Sequence, residues 1–253
     1  MIGVDDRGLL LGDGLFETVL WEGRAFDAFD AHAARLVAGC ATIGLPAPDR
    51  TALDAAARAA IADAALEDKR AAVRLTWTAG SGGRGLDRPD MPAPRLVATA
   101  AASAKPTTPA RVIVSAVRRN EGSPAARLKT LAYLDNVLAR REARALGADE
   151  ALMLNNRGEI CGGAAANVFW FEADDLLTPA LDCGVLGGIM RARVMTRARG
   201  LGWTVREVHA GLDDLNAATG LFLTNSLIGM RDVAGLGDRM IGSNGRLSML
   251  RVG

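Results

Sequence analysis

The sequence predicts an α+β fold in two lobes, a small α/β N-terminal domain and a larger, β-rich C-terminal domain. Three observations lead there. Strand-like and helix-like stretches are intermixed along the chain. The proline-bracketed stretch Pro106-Thr-Thr-Pro109 is the best linker candidate. At 253 residues the chain can fill two medium domains. The expected division is 1–105, a linker at 106–110, and 111–253. A ligand site is expected between the lobes, where such sites commonly lie.

The elements follow in order. Residues 15–21 are strand-like, and Glu22-Gly23 suggests a turn into a second short strand. Asp30 can cap a helix running to about Ile43, ended by Gly44-Leu45-Pro46. An alanine-rich helix covers roughly Thr51 to Leu66. Two strands, Ala72–Trp77 and Arg95–Ala100, flank the loop Ala79-Gly-Ser-Gly-Gly-Arg-Gly85. Beyond the linker come a strand at 111–117, a loop bearing Lys129, and a helix to about Leu146. Short strands at 150–154, 158–162 and 167–172 precede a helix at 189–199. Strands near 203–208 and 220–225 complete the pattern, and no internal repeat is present.

Composition excludes several classes of function. Net charge is +1 with both signs mixed along the chain, so no stripe for nucleic acid and no polybasic membrane patch stands out. Aromatic content of 4% argues against a base-stacking surface. Cys40, Cys161, Cys183, His32 and His209 are widely spaced without a ligand motif, so no metal site is expected. The odd cysteine count fits a reducing compartment. The opening residues lack a signal-peptide pattern, and no apolar run reaches membrane-spanning length. The expectation is a soluble cytoplasmic protein.

Only three of the 30 basic residues are lysines. Lys69 lies in the polar run Glu67-Asp-Lys-Arg70, and Lys105 in the linker-like stretch Ser103–Pro109; both read as solvated. Lys129 stands between Leu128 and Leu131, just before a helical pattern. Apolar neighbours can lower an ammonium pKa and make the amine a nucleophile.

Four further segments share one pattern. They are Asp6-Arg-Gly…Gly12-Asp-Gly-Leu-Phe-Glu-Thr18; His32-Ala-Ala-Arg35-Leu36; Leu128-Lys-Thr-Leu-Ala-Tyr133 through Ala143; and Asn167-Val-Phe-Trp170 with Gly184 through Arg191. In this order and spacing the chain resembles the class IV aminotransferases, the fold-type IV enzymes that use pyridoxal 5′-phosphate. Gly80-Ser-Gly-Gly-Arg-Gly85 and Gly188-Ile-Met-Arg191 make it most similar to the aminodeoxychorismate lyases.

The resemblance implies roles residue by residue. Lys129 is the amine that bonds the cofactor's aldehyde and later moves a proton at the substrate carbon. Arg35 holds the phosphate, with His32 as a supporting, hydrogen-bonded neighbour. Gly188, Ile189 and Met190 open a helix whose N–H groups suit an anion, and Thr224 and Ser226 supply hydroxyls. Tyr133 stands near the cofactor's phenolic oxygen or simply packs its helix. Arg84 meets a substrate carboxylate or is an ordinary loop arginine, and Phe16 lies beside the substrate. A homodimer acting on a small amino substrate is implied.

The pattern also has departures. Relatives place a glutamate five residues before the asparagine, where it keeps the pyridine nitrogen protonated; here that position is Gly162. Glu159 is three residues away and on the opposite strand face unless a bulge at Gly162-Gly163 turns it inward. The chain starts close to Asp5-Asp6-Arg7, without an opening strand seen in relatives, and Arg231-Asp232-Val233 lacks a proline common there. The leading expectation is a lyase that converts 4-amino-4-deoxychorismate to 4-aminobenzoate and pyruvate. The alternatives are an aminotransferase for branched-chain, D-amino acid or amine substrates, and a non-catalytic cofactor-binding protein.

Overall fold

The computed structural model describes residues 2–250. The chain divides into two compact units, residues up to Lys105 together with Leu128–Ala132, and Pro106–Arg127 together with the chain from Tyr133 onward. One boundary falls between Lys105 and Pro106, and Leu128–Ala132 returns to the first unit. Its backbone pairs with a first-unit strand, which places it there.

The first unit contains α1 (Arg7–Leu11), β1 (Gly14–Glu22), α2 (Phe29–Ile43), α3 (Arg50–Asp63), β2 (Arg70–Thr78) and β3 (Arg95–Ala102). The strands form an antiparallel sheet in the order β1-β2-β3. Strand alternation puts Leu15, Val19 and Trp21 of β1 with Val73 and Leu75 of β2 on one face. Against them pack Phe29, Ala33, Leu36 and Cys40 of α2 and Leu53, Ala57 and Ile61 of α3, at helical spacing.

Local chemistry explains the helix ends. Asp49 caps α3 by accepting from the Ala52 N–H at 3.0 Å. Asp30 does not cap α2: Ala28, with φ of 51°, takes the N-cap position. Asp30 falls inside the first turn, where a carboxylate still favours the helix dipole, and pairs with Arg50. The expected second strand after Gly23 is absent. The chain there makes an isolated bridge between Trp21 and Phe26, whose rings meet edge-on at 4.8 Å.

The second unit carries β4 (Ala110–Arg119), α4 (Leu134–Ala145), β5 (Glu150–Asn155), β6 (Ile160–Gly163), β7 (Asn167–Glu172) and β8 (Asp175–Pro179). It continues with α5 (Ile189–Gly200), β9 (Val205–Val208), β10 (Gly220–Asn225), β11 (Gly229–Leu236), β12 (Arg239–Met240) and α6 (Leu247–Leu250). The order β6-β5-β4-β11-β10-β7-β8-β9 forms one nine-stranded sheet, with β12 added to β11. Ile160 of β6 and Leu177 of β8, near opposite ends of that order, share one core with Val112, Trp170 and Leu223. The Ile160 N–H also donates to the Ala210 carbonyl just past β9, so the sheet curls back on itself. Phe169, Phe171 and Phe222 face the other way and pack with Val194 and Met195 of α5. Among the described residues no helix is long and apolar enough to cross a membrane.

Candidate active site

Lys129 is positioned by backbone pairing. The segment Leu128–Ala132 lies along the open edge of β1: the Phe16 N–H donates to the Lys129 carbonyl at 2.8 Å, and the Leu131 N–H to the Gly14 carbonyl at 3.0 Å. Leu15 and Thr130 form an antiparallel bridge, which sets Lys129 opposite Phe16 on the sheet face away from α2 and α3. The Lys129 Nζ lies 4.2 Å from the centre of the Phe16 ring. Arg74 of β2 covers the same ring with its guanidinium carbon at 3.7 Å, and its Nε donates to Thr76 Oγ1. Burial lowers the Lys129 pKa to about 8; Glu17 pulls it upward, while Arg35 and Arg74 push it down.

The opposite face of β1 explains Arg35. Glu17 falls between Leu15 and Val19 on the core side and is 1% exposed. A buried carboxylate needs partners. Arg35 donates Nε to Glu17 Oε1 at 2.7 Å and Nη2 to Oε2 at 2.6 Å, and His32 Nδ1 stands 2.7 Å from Oε2. The i,i+3 spacing puts both residues on one face of α2. Burial alone would raise the Glu17 pKa, but the hydrogen bonds from His32 and Arg35 outweigh it and hold the carboxyl below its ordinary value. His32 is thus the buried, hydrogen-bonded residue expected. Glu17 fixes the arginine fork that the resemblance assigns to a phosphate, taking two of its five N–H donors.

In the same unit a second network shapes the glycine-rich loop. Arg7 is 4% exposed, binds Asp13 through Nε at 2.9 Å, and donates to the carbonyls of Gly82, Gly85, Leu86 and Asp87. Arg88 grips the other side of Asp13, whose pKa this contact lowers first among several causes, against burial. Arg84 is exposed on the loop so held, where its backbone pairs with Asp87.

The second unit holds a set of residues suited to an anion. Gly188 is the N-cap of α5 and has no side-chain cap partner, so the first N–H groups, including those of Ile189 and Met190, open the helix. A Cβ on Gly188 would clash with Asn167 Oδ1, so a larger residue there would force the Asn167 side chain to move. Asn167 is anchored by donating to the Leu186 carbonyl and pairs across the sheet with Thr224. Opposed residues of an antiparallel pair share a face, so the Thr224 side chain stands on the Asn167 side. Thr224 is 0% exposed, yet its Oγ1 has no hydrogen-bond partner. An orphaned buried hydroxyl beside a helix N-terminus fits an absent anionic group such as a phosphate. Ser226 follows β10 half-buried, and Tyr133 occupies the N-cap of α4.

Gly162 is more than a missing side chain. Its φ of +124° suits glycine, and a Cβ would stand 3.0 Å from the Ala166 carbonyl. The β5–β6 pairing does slip here, since Met153 opposes Gly162 and Leu154 opposes Ile160. The irregularity does not bring Glu159 inward. Its carboxylate is held by Arg157, Asn155 and His209.

Sequence reasoning placed Arg7 and Glu17 in a motif without giving either a role, and overlooked Arg74. Glu17 carried a readable signal, a charged residue at a core-facing position in an alternating strand. Arg74 also shares the outward period of β2 with Thr76, but only the fold sets it over Phe16.

Comparison with known proteins agrees with this geometry. The chain is 28% identical over 241 residues to the aminodeoxychorismate lyase of Vibrio harveyi, covering 93% of this chain and 87% of that one. It superposes on the 4-amino-4-deoxychorismate lyase of Pseudomonas aeruginosa with a TM-score of 0.86 and 31% identity, covering 99% and 93% of the two chains. The branched-chain aminotransferase of Thermoproteus uzoniensis matches with a TM-score of 0.90 and 25% identity, covering 99% and 86%. A family model described as amino-transferase class IV matches residues 14–236, and the chain belongs to that family of pyridoxal-phosphate-dependent enzymes.

Proposed function

We propose that this protein is a lyase that converts 4-amino-4-deoxychorismate to 4-aminobenzoate and pyruvate. The observation that carries the reading is Lys129, an amine with a pKa of about 8 fixed over Phe16 and flanked by Arg74. Kinship to lyases from Vibrio harveyi and Pseudomonas aeruginosa selects this reaction. When bound, pyridoxal 5′-phosphate supplies an aldehyde for the amines and a ring that withdraws electrons.

The remaining work falls to the chain. Within the second unit the α5 N-terminus and the Thr224 hydroxyl suit phosphate oxygens, and within the first unit Glu17 fixes the fork of Arg35 for an anion. With the cofactor bound, Lys129 would be the base that accepts the proton from the carbon bearing the substrate amine. The bond to the enolpyruvyl oxygen then breaks, and a proton returned to the leaving group gives pyruvate. Atoms balance without water or a redox partner. The substrate's carboxylates call for cations, which Arg74 and Arg84 supply. Aromatisation of the ring drives the step, which suits a chain with Gly162 where relatives place a glutamate.

A second reading is transamination, favoured by the likeness to the Thermoproteus uzoniensis enzyme. One pair of assays separates them. Holoenzyme given 4-amino-4-deoxychorismate should release pyruvate, detected with lactate dehydrogenase, and Lys129→Ala should not. Bleaching of the cofactor's aldehyde-form absorbance by amino donors, without pyruvate from the lyase substrate, would favour transamination. Turnover of neither kind would favour the binding-only alternative. A homodimeric, cytoplasmic enzyme serving folate synthesis is part of the same proposal.

A further inference from the structure

Three residues far apart in sequence converge in the second unit, well outside the set just described. Glu159 precedes β6, Cys183 ends the short helical turn Leu181–Cys183, and His209 follows β9. We propose that Glu159, Cys183 and His209 form a binding site for one thiophilic divalent cation of the zinc type. The inference does not depend on the lyase reading.

Distances come first. His209 Nδ1 lies 3.1 Å from Glu159 Oε1 and 3.4 Å from Cys183 Sγ, and the three donor atoms fall within 4.8 Å of one another. Tetrahedral zinc with these ligands has nitrogen–oxygen edges of about 3.3 Å and nitrogen–sulfur edges of about 3.6 Å, calculated from its bond lengths. The donors therefore approximate one face of a coordination tetrahedron. The Glu159–Cys183 edge, within 4.8 Å, closes to the tetrahedral value of about 3.6 Å with a side-chain shift of up to about 1 Å, leaving the fourth position to water.

The surroundings supply an independent argument. His209 Nε2 stands 3.2 Å from Asp182 Oδ1. Metal-bound histidines characteristically donate their second ring N–H to a carboxylate. That tautomer turns the Nδ1 lone pair toward a carboxylate oxygen, so two acceptors meet at hydrogen-bond distance and a cation, proton or metal, must lie between them. The neighbouring Cys183 sulfur favours the metal, because thiolate is a strong zinc ligand and adds little to a proton shared by His and Glu. The other carboxylate oxygen of Glu159 is already fixed by Asn155 Nδ2 and Arg157 Nη2, both at 2.7 Å. That leaves Oε1 oriented toward the proposed ion. His209 is half-exposed, which provides an entry path, whereas Cys183 is fully buried.

Binding would release the Cys183 thiol proton to solvent and requires no electron transfer. The ion would tie the start of β6 and the chain after β9 to the turn that leads into the Gly188 end of α5.

The test uses reduced, metal-stripped holoenzyme titrated with Co²⁺ and then Zn²⁺. One cobalt per chain is expected, with tetrahedral d–d bands at wavelengths beyond the cofactor's absorption, displaced by zinc. Zinc should also raise the melting temperature. His209→Ala, at a half-exposed position, should lose both responses while keeping the cofactor spectrum of wild type. Asp182→Asn should weaken zinc binding about tenfold or more. Absence of saturable binding in the wild type, or stoichiometric binding that persists in His209→Ala, overturns the proposal.

Discussion

A lysine amine attacks an aldehyde only after it has lost its proton, so the environment of Lys129 sets a pH window. With a pKa of about 8, capture of pyridoxal phosphate by apoprotein should speed up as pH rises through that value and then level off. Stopped-flow absorbance across the range checks this, and Arg74→Met should move the midpoint upward. The same shift predicts stability with the opposite sign to an ordinary salt-bridged lysine. Between about 8 and the ordinary 10.5 the unfolded chain binds more protons, so resistance of apoprotein to urea should grow with pH there. Lys129→Met should flatten the slope. At Glu17 the folded carboxyl is held below its ordinary value of 4.5, so its stabilisation is present above that pH and is lost on acidification. Glu17→Ala should cost about 3 kcal/mol in urea unfolding, the usual scale for leaving a buried partner unpaired. At Gly162, restoring glutamate should fail to restore the relatives' arrangement. The positive φ makes Gly162→Glu cost roughly 1–3 kcal/mol, measured as a lowered urea midpoint, with no gain in turnover.

At the scale of elements, the anion-suited residues of α5 and β10 make the most separable prediction. Thr224→Val keeps the shape of the side chain and removes a hydroxyl that has no partner. The variant should weaken pyridoxal phosphate binding about tenfold, the value of one hydrogen bond to a charged group, while apoprotein stability holds or rises. Calorimetric titration beside thermal melts tests both halves. The sequence points to these residues because a Gly-Gly step before a helix and a Thr in a strand carry local signals. Most long elements were legible for the same reason: α2, α3 and β10 announce themselves by period, although the expected cap Asp30 falls inside α2. Short ones were not. The five residues of α1 are too few to show a period, and Leu9, Leu10 and Leu11 are exposed in this chain. β8 and β12 are set by pairing with distant strands rather than by local propensity. The Glu159–Cys183–His209 cluster was invisible because its members join only through the curl of the sheet.

Over the whole molecule, the chain passes from the first unit to the second between Lys105 and Pro106, yet one five-residue stretch, Leu128–Ala132, returns to the first unit and carries Lys129. Linear reading identified Lys129 as chemistry but could not anticipate that its strand edge belongs to β1, since such pairing has a sequence separation of over a hundred residues. That return is what sets Lys129 opposite Phe16, and the functional proposal rests on it. The decisive measurement is borohydride reduction of protein mixed with pyridoxal phosphate, followed by peptide mass spectrometry. The account predicts a single phosphopyridoxyl modification on the peptide containing Lys129. Modification confined to Lys69 or Lys105, or none at all, would contradict it.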